Sequence, residues 1–191
     1  MNRRAIFAAL VGAVLIGASV FLIGGTRPDI VRGTGASDEL SGGHGPDRVM
    51  GLAGDDELYG LGPDGLFGSR GDDHIRLGAA GGAAQGGPGR DELSGDAGRD
   101  RLDGGRDVDK LEGGSGPDRL EGGRGGDDLS GDAGEDSIFG EAGRDDLSGG
   151  EGDDFLYAAD GVPGETVDCG PGTGDIASAD PEDTTVGCEN P

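Results

Sequence analysis

The chain has no tryptophan, and phenylalanine and tyrosine together supply only seven of its 191 residues. A conventional globular core is built from large apolar side chains, so that architecture is excluded. Basic residues are scarce: 15 Lys and Arg stand against 39 Asp and Glu, for a formal charge of −24. Nucleic acid, which is held through its phosphates by Lys and Arg, is therefore excluded as a partner. Histidine occurs twice, as the isolated His44 and His74, and no H-E-x-x-H is present, which removes the common zinc hydrolases. No G-x-S-x-G nucleophile elbow occurs either. The stretch GLGPDG at 60–65 formally matches G-x-G-x-x-G, but among 46 glycines and without a βαβ context it carries no weight. Adjacent acids such as Asp72-Asp73 and Asp127-Asp128 read as turn and strand-start residues and not as an acid/base pair. No catalytic group is expected, and the chain is read as a non-enzyme.

Glycine is what the chain has in abundance, and it is periodic. Residues 86–157 divide without slip into eight nonapeptides: GGPGRDELS, GDAGRDRLD, GGRDVDKLE, GGSGPDRLE, GGRGGDDLS, GDAGEDSIF, GEAGRDDLS and GGEGDDFLY. Position 1 is always Gly, position 6 always Asp and position 8 always Leu or Ile; position 4 is Gly except at Asp107. Upstream, 33–76 carries the same repeat less regularly, with Ala36 at a glycine position and a shortened unit of eight at 60–67. Unit 77–85 (LGAAGGAAQ) keeps the length but has lost both the Asp and the position-8 Leu. Composition alone would suit disorder, yet disorder has no use for a Leu at every ninth residue.

Each unit reads as a six-residue turn and a three-residue strand. Strand side chains alternate in direction, so only position 8 points inward. Two units make one flattened coil, and coils stack at about 4.8 Å, the ordinary spacing between strands. The expected core is a ladder running from Leu40 and Val49 through Leu58, Leu66 and Ile75 to Leu156. Turns of alternate units fall into two rows. One carries Asp38, Asp56, Asp73, Asp91, Asp109, Asp127 and Asp145. The other carries Asp47, Asp64, a gap at the degenerate unit, then Asp100, Asp118, Asp136 and Asp154. Stacked carboxylates this close repel unless a cation lies between them. Calcium takes six to eight oxygens from carboxylates and backbone carbonyls, whereas magnesium prefers a tight octahedron with retained water. These thirteen aspartates are the expected calcium ligands. If unit 77–85 looped out, Asp73 would stack on Asp100 and the rows would be misassigned.

The pattern G-G-x-G-x-D-x-U-x in 33–157 resembles the RTX, or haemolysin-type, calcium-binding nonapeptide repeat. The resemblance implies an all-β fold, a right-handed parallel β-roll (a β-solenoid), with several Ca2+ ions held between stacked turns by the position-6 aspartates and turn carbonyls. About nine or ten ions, each doubly charged, would nearly cancel the acidity of the chain, so binding is expected to be coupled to folding.

Residues 1–25 carry Arg3 and Arg4 ahead of nineteen small and apolar residues at 5–23, broken only by Ser19. The segment reads as a cleaved secretory signal or an uncleaved N-terminal anchor, and either places the remainder outside the cytoplasm. A linker follows at 26–32, then the roll at 33–157 and a C-terminal cap at 158–191. Cys169 and Cys188 in an exported chain are expected to pair as a disulfide. The tail also resembles the disulfide-bearing end of small secreted RTX-repeat proteins. Short strands at 176–179 and 184–186 are expected to close the end of the roll, where Phe155 and Tyr157 have room to pack. The function expected is an exported calcium-binding protein. The alternatives are a calcium-dependent surface adhesin or matrix component, with cell-wall or surface polymers as partners, and an accessory of a secreted hydrolase. Membrane contact would come only through 5–23. Positions 7 and 9 of the regular units carry no Thr, which argues against an ice-binding face. Position 7 is mostly acidic along the first row and carries Arg48, Arg101 and Arg119 along the other, which reads either as an acidic face with a more basic one or as an ordinary mixed surface.

Overall fold

The computed structural model describes residues 26–189. The expected signal or anchor at 1–25 lies outside the described residues. The described chain is built from strands alone, in two parallel nine-stranded sheets whose members alternate along the sequence. One sheet contains β1 (Ile30–Arg32), β3 (Arg48–Met50), β5 (Gly65–Phe67), β7 (Ala83–Pro88), β9 (Arg101–Arg106), β11 (Arg119–Gly125), β13 (Ser137–Gly143), β15 (Phe155–Tyr157) and β17 (Ile176–Ser178). The other contains β2 (Glu39–Ser41), β4 (Glu57–Tyr59), β6 (His74–Gly78), β8 (Glu92–Asp96), β10 (Lys110–Ser115), β12 (Asp128–Ala133), β14 (Asp146–Glu151), β16 (Thr166–Asp168) and β18 (Thr184–Val186). Each strand pairs only with the strands one coil away, the connectivity of a β-solenoid. The expected β-roll architecture is therefore present.

The register follows the nonapeptide. Leu111 lies beside Leu93 and Leu129, and Leu120 beside Leu102 and Ile138. Position 8 is buried in every coil from Leu40 to Leu156, while its strand neighbours, the buried Ser41 apart, face outward or lie at the boundary. No single coil could bury its one inward side chain alone; the core exists only as a stack. Unit 77–85 keeps the rows in phase, because β6 pairs with β8 and places Ile75 beside Leu93.

The roll extends beyond the repeat at both ends. Residues 26–32, expected as a linker, contribute β1, which pairs with β3 and buries Val31. The segment expected as a cap continues both sheets: β16 pairs with β14 and β17 with β15, while β18 pairs with β16. Strand β16 was not anticipated. The disulfide between Cys169 and Cys188 ties the ends of β16 and β18, with Cys169 fully buried. Phe155 and Tyr157 do not pack under this end. They lie part-exposed on the outer face of β15 against Phe139, at ring distances of 5.9 and 6.4 Å. The three arginines are engaged as well. Arg48 stacks on Phe67 and Arg119 on Phe139, and Arg101 and Arg119 both pair with Glu121.

Candidate metal centre

Each repeat turn brings its aspartate inward, out of water. From Asp47 to Asp154 the position-6 aspartates are at most 4 % exposed. Their backbone N–H groups donate along the stack: Asp91 N–H to Asp109 Oδ1, Asp109 N–H to Asp127 Oδ1 and Asp127 N–H to Asp145 Oδ1, all at 2.8 Å. The same chain begins with Asp38, Asp56 and Asp73. The second row runs from Asp47 to Asp64, and from Asp100 through Asp118 and Asp136 to Asp154. Both rows are thus the ones expected from counting nonapeptides, and Asp73 stacks on Asp91.

One oxygen of each carboxylate is satisfied in this way; the other is not. Oδ2 of Asp47, Asp56, Asp73, Asp91, Asp100, Asp109, Asp118, Asp127, Asp136, Asp145 and Asp154 is buried with no hydrogen-bond partner among the described residues. A buried, unpaired carboxylate oxygen is costly, and eleven in two files call for a shared cause. Asp38 and Asp64 stand in the rows but differ. Asp38 Oδ2 accepts from the Thr34 N–H and hydroxyl. In the eight-residue unit, Asp64 Oδ2 accepts from the N–H groups of Leu61 and Gly62.

The position-1 glycine shows what surrounds the unpaired oxygen. A Cβ on Gly113 would lie 2.8 Å from Asp118 Oδ2 and 2.8 Å from the carbonyl oxygen of Gly131, one coil on. At Gly122 the same two distances, to Asp127 Oδ2 and the Gly140 carbonyl, are again 2.8 Å; at Gly104 both are 2.7 Å. The bare face of the glycine thus leaves a cradle bounded by a carboxylate oxygen and a carbonyl oxygen. Any side chain there would collide with both. Position 4 is glycine for a different reason: a Cβ on Gly134 would come within 2.0 Å of the Gly116 carbonyl oxygen. The exception, Asp107, adopts the left-handed φ of 76° regardless, so the turn is kept.

Burial raises the proton affinity of these groups. Loss of hydration pushes Asp109 up to about 8, with the flanking Asp91 and Asp127 adding to it and the N–H bond from Asp91 opposing it. Asp73, Asp100 and Asp136 rise to about 7, and Asp56, Asp91 and Asp145 to about 6, again led by desolvation. Asp47, Asp118, Asp127 and Asp154 are raised for the same reason. In the absence of a counter-charge, the fold favours a proton on these oxygens.

Among the described residues no three carboxylate, imidazole or thiolate side chains gather into a metal cluster. The remaining donors beside each aspartate are backbone carbonyls. An all-oxygen set of carboxylates and carbonyls on irregular turns fits calcium, which accepts many oxygens in a flexible arrangement.

Two residues outside the expected set complete the rows. Asp145 N–H donates to Glu165 Oε1 and Asp154 N–H to Asp175 Oδ1. Their turns are longer than the repeat turn, which hid them from a count of nines. The degenerate unit, by contrast, places Gly82 at the row position, where its N–H donates to Asp100 Oδ1 at 2.7 Å. Its position-1 residue, Leu77, is buried, and a Cβ on Gly82 would meet Leu77 Cδ2 at 3.1 Å. Here a leucine side chain fills the turn interior.

A family model described as the RTX calcium-binding nonapeptide repeat (four copies) matches residues 23–58, 45–75, 58–80, 85–120 and 121–156. No curated protein matches the chain.

Proposed function

The chain belongs to the RTX calcium-binding nonapeptide repeat family, and from that membership we propose that it is an exported calcium-binding protein in which ions between stacked turns drive folding of the roll. The ligands proposed are the position-6 aspartates whose Oδ2 is unpaired, which leaves out Asp38 and Asp64, with carbonyls of the position-1 residues one coil on. The observation that carries the proposal is the two files of buried carboxylate oxygens without donors. Calcium supplies the positive charge those oxygens face when it is bound.

The residues themselves do the rest. Aspartate Oδ1 accepts from the preceding coil and so fixes the carboxylate plane. Oδ2 is left without a donor, and both it and the next coil's carbonyl border the bare face of a glycine. Without a cation at neutral pH, the folded rows must either hold protons that the unfolded carboxylates give up or crowd ionised carboxylates in a poorly hydrated interior, while a chain of formal charge −24 expands. Folding and binding are thus one equilibrium. Per-site dissociation constants of about 10⁻⁴ to 10⁻³ M fit an extracellular calcium module, with neighbouring coils binding cooperatively. Export is supported by the Cys169–Cys188 disulfide, which belongs to an oxidising compartment.

Far-ultraviolet circular dichroism in chelator and in millimolar calcium tests this. The β signal is expected to develop with calcium in a steep, cooperative transition. Identical spectra in the two conditions would refute it.

A further inference from the structure

We propose that the file of calcium sites continues past the nonapeptide block, with Glu165 and Asp175 each holding a further ion on turns that do not follow the repeat. This rests on the calcium reading of the aspartate rows.

Both side chains are as buried as the repeat aspartates, Glu165 at 1 % exposure and Asp175 at 0 %. Both repeat the same division of labour. One oxygen accepts from the preceding coil, at 3.2 Å for Glu165 Oε1 and 2.9 Å for Asp175 Oδ1. The other, Glu165 Oε2 or Asp175 Oδ2, is buried and has no partner among the described residues. A carboxylate kept only for structure would find donors for both oxygens, as Asp64 does on its shortened turn.

The backbone before Asp175 keeps the stacking of the repeat, while position 1 carries a small buried side chain at both turns, Ala158 ahead of Glu165 and Cys169 ahead of Asp175. Cys169 occupies the position-1 place, and its carbonyl closes the last regular cradle: a Cβ on Gly149 would lie 2.6 Å from the Cys169 carbonyl oxygen and 2.6 Å from Asp154 Oδ2. The equivalent distances at Gly131 are 2.6 Å to the Gly149 carbonyl and 2.5 Å to Asp136 Oδ2. Gly170 stacks on Gly150 and Gly172 on Gly152, which are positions 2 and 4 of the preceding coil. The turn then takes one extra residue before Asp175, and the turn ending at Glu165 takes two. Gly172 is bare where the Asp175 carboxylate lies, since a Cβ there would come within 2.3 Å of Oδ1 and 2.5 Å of Oδ2. The donors are again oxygens only, and both cysteine sulfurs are sequestered in the disulfide, so the sites suit a hard cation and not a thiophilic one.

Crystals of the full oxidised chain grown in calcium and soaked in terbium would locate the sites by anomalous scattering. Peaks are expected along both aspartate rows and also beside Glu165 Oε2 and Asp175 Oδ2. Peaks along the rows with none at these two residues would overturn this proposal alone. A folded chain with no peaks anywhere would overturn the calcium reading itself. In solution, equilibrium dialysis of Glu165→Gln and of Asp175→Asn should each show one calcium ion fewer than the parent, and two fewer in the double variant. The surface variant Asp128→Asn should show no loss. A count unchanged in both terminal variants would also overturn the proposal.

Discussion

Two neighbouring turns solve the same packing problem in opposite ways. In the turn ending at Asp73, a glycine at position 1 leaves a cradle and a carboxylate oxygen faces into it. In the turn ending at Gly82, a leucine at position 1 fills the interior and the carboxylate is gone. The backbone is conserved across the exchange: β6 still pairs with β8 and β7 with β9. The roll therefore requires its turn interiors to be filled and does not require that a cation fill them. The leucine has in effect moved. Ala84 stands at position 8, beside Leu66 and Leu102, and Leu77 restores apolar volume from the turn side.

Mixing the two solutions should give the largest effect. Gly104→Leu places a side chain where Asp109 Oδ2 and the Gly122 carbonyl lie within 2.7 Å of the new Cβ. It should destabilise the calcium-loaded roll by about 4 kcal/mol or more, measured by urea unfolding in saturating calcium. Adding Asp109→Gly, which copies the 77–85 turn, should recover much of that loss at the expense of bound calcium. Failure of the second change to rescue the first would break the equivalence of the two turns.

Leu77→Ala should come next. A cavity at a buried leucine costs about 2 to 5 kcal/mol, and here the calcium count should not change. Reduction of Cys169–Cys188 should follow, with a loss of about 3 kcal/mol expected for a loop of this length. Because the Cys169 carbonyl borders the Asp154 cradle, calcium at that end should also weaken, read as a later midpoint in calorimetric titration.

The carboxylate turns, unlike the leucine turn, should make the calcium-free chain sensitive to pH. Their folded pKa values are raised, to about 8 at Asp109, about 7 at Asp73, Asp100 and Asp136, and about 6 at Asp56, Asp91 and Asp145. A raised value means the folded state holds the proton more tightly than the unfolded state. Its stabilising effect is complete below the ordinary carboxylate value of about 3.9 and disappears as pH rises through 6 to 8. Calcium-free chain should therefore show more β signal at pH 4 than at pH 8, and added calcium should abolish the difference. The smallest structural effect is expected from Leu77→Gly with Gly82→Asp. This pair rebuilds the missing cradle and should add one bound ion with little change in the circular dichroism spectrum.

The strictness of the nonapeptide made most of the fold legible. Position 8 marked the core and position 6 the two rows, because a stacked coil repeats one environment at every level. Legibility of the rows ended where a turn grew longer than the repeat turn. Glu165 and Asp175 occupy row positions, yet turns longer by two residues and one break the count. Strand β1 was hidden by the absence of a preceding repeat turn, and β16 by the long turn before it. Asp38 and Asp64 looked like their neighbours in sequence, but the local N–H groups that satisfy them appear only with the turn geometry.

The period, the inward leucines and the pairing of aspartates seventeen or eighteen residues apart were set by sequence alone, since these follow from the alternation of strand side chains and the length of the turn. Only the tertiary structure decided which carboxylate oxygens are left without donors, that Leu77 points into its turn, and that the disulfide segment prolongs both rows. The prolonged rows depend on contacts one coil away, between residues about eighteen to twenty-one apart, whereas Leu77 and the donors to Asp38 and Asp64 depend on how each turn folds back on itself.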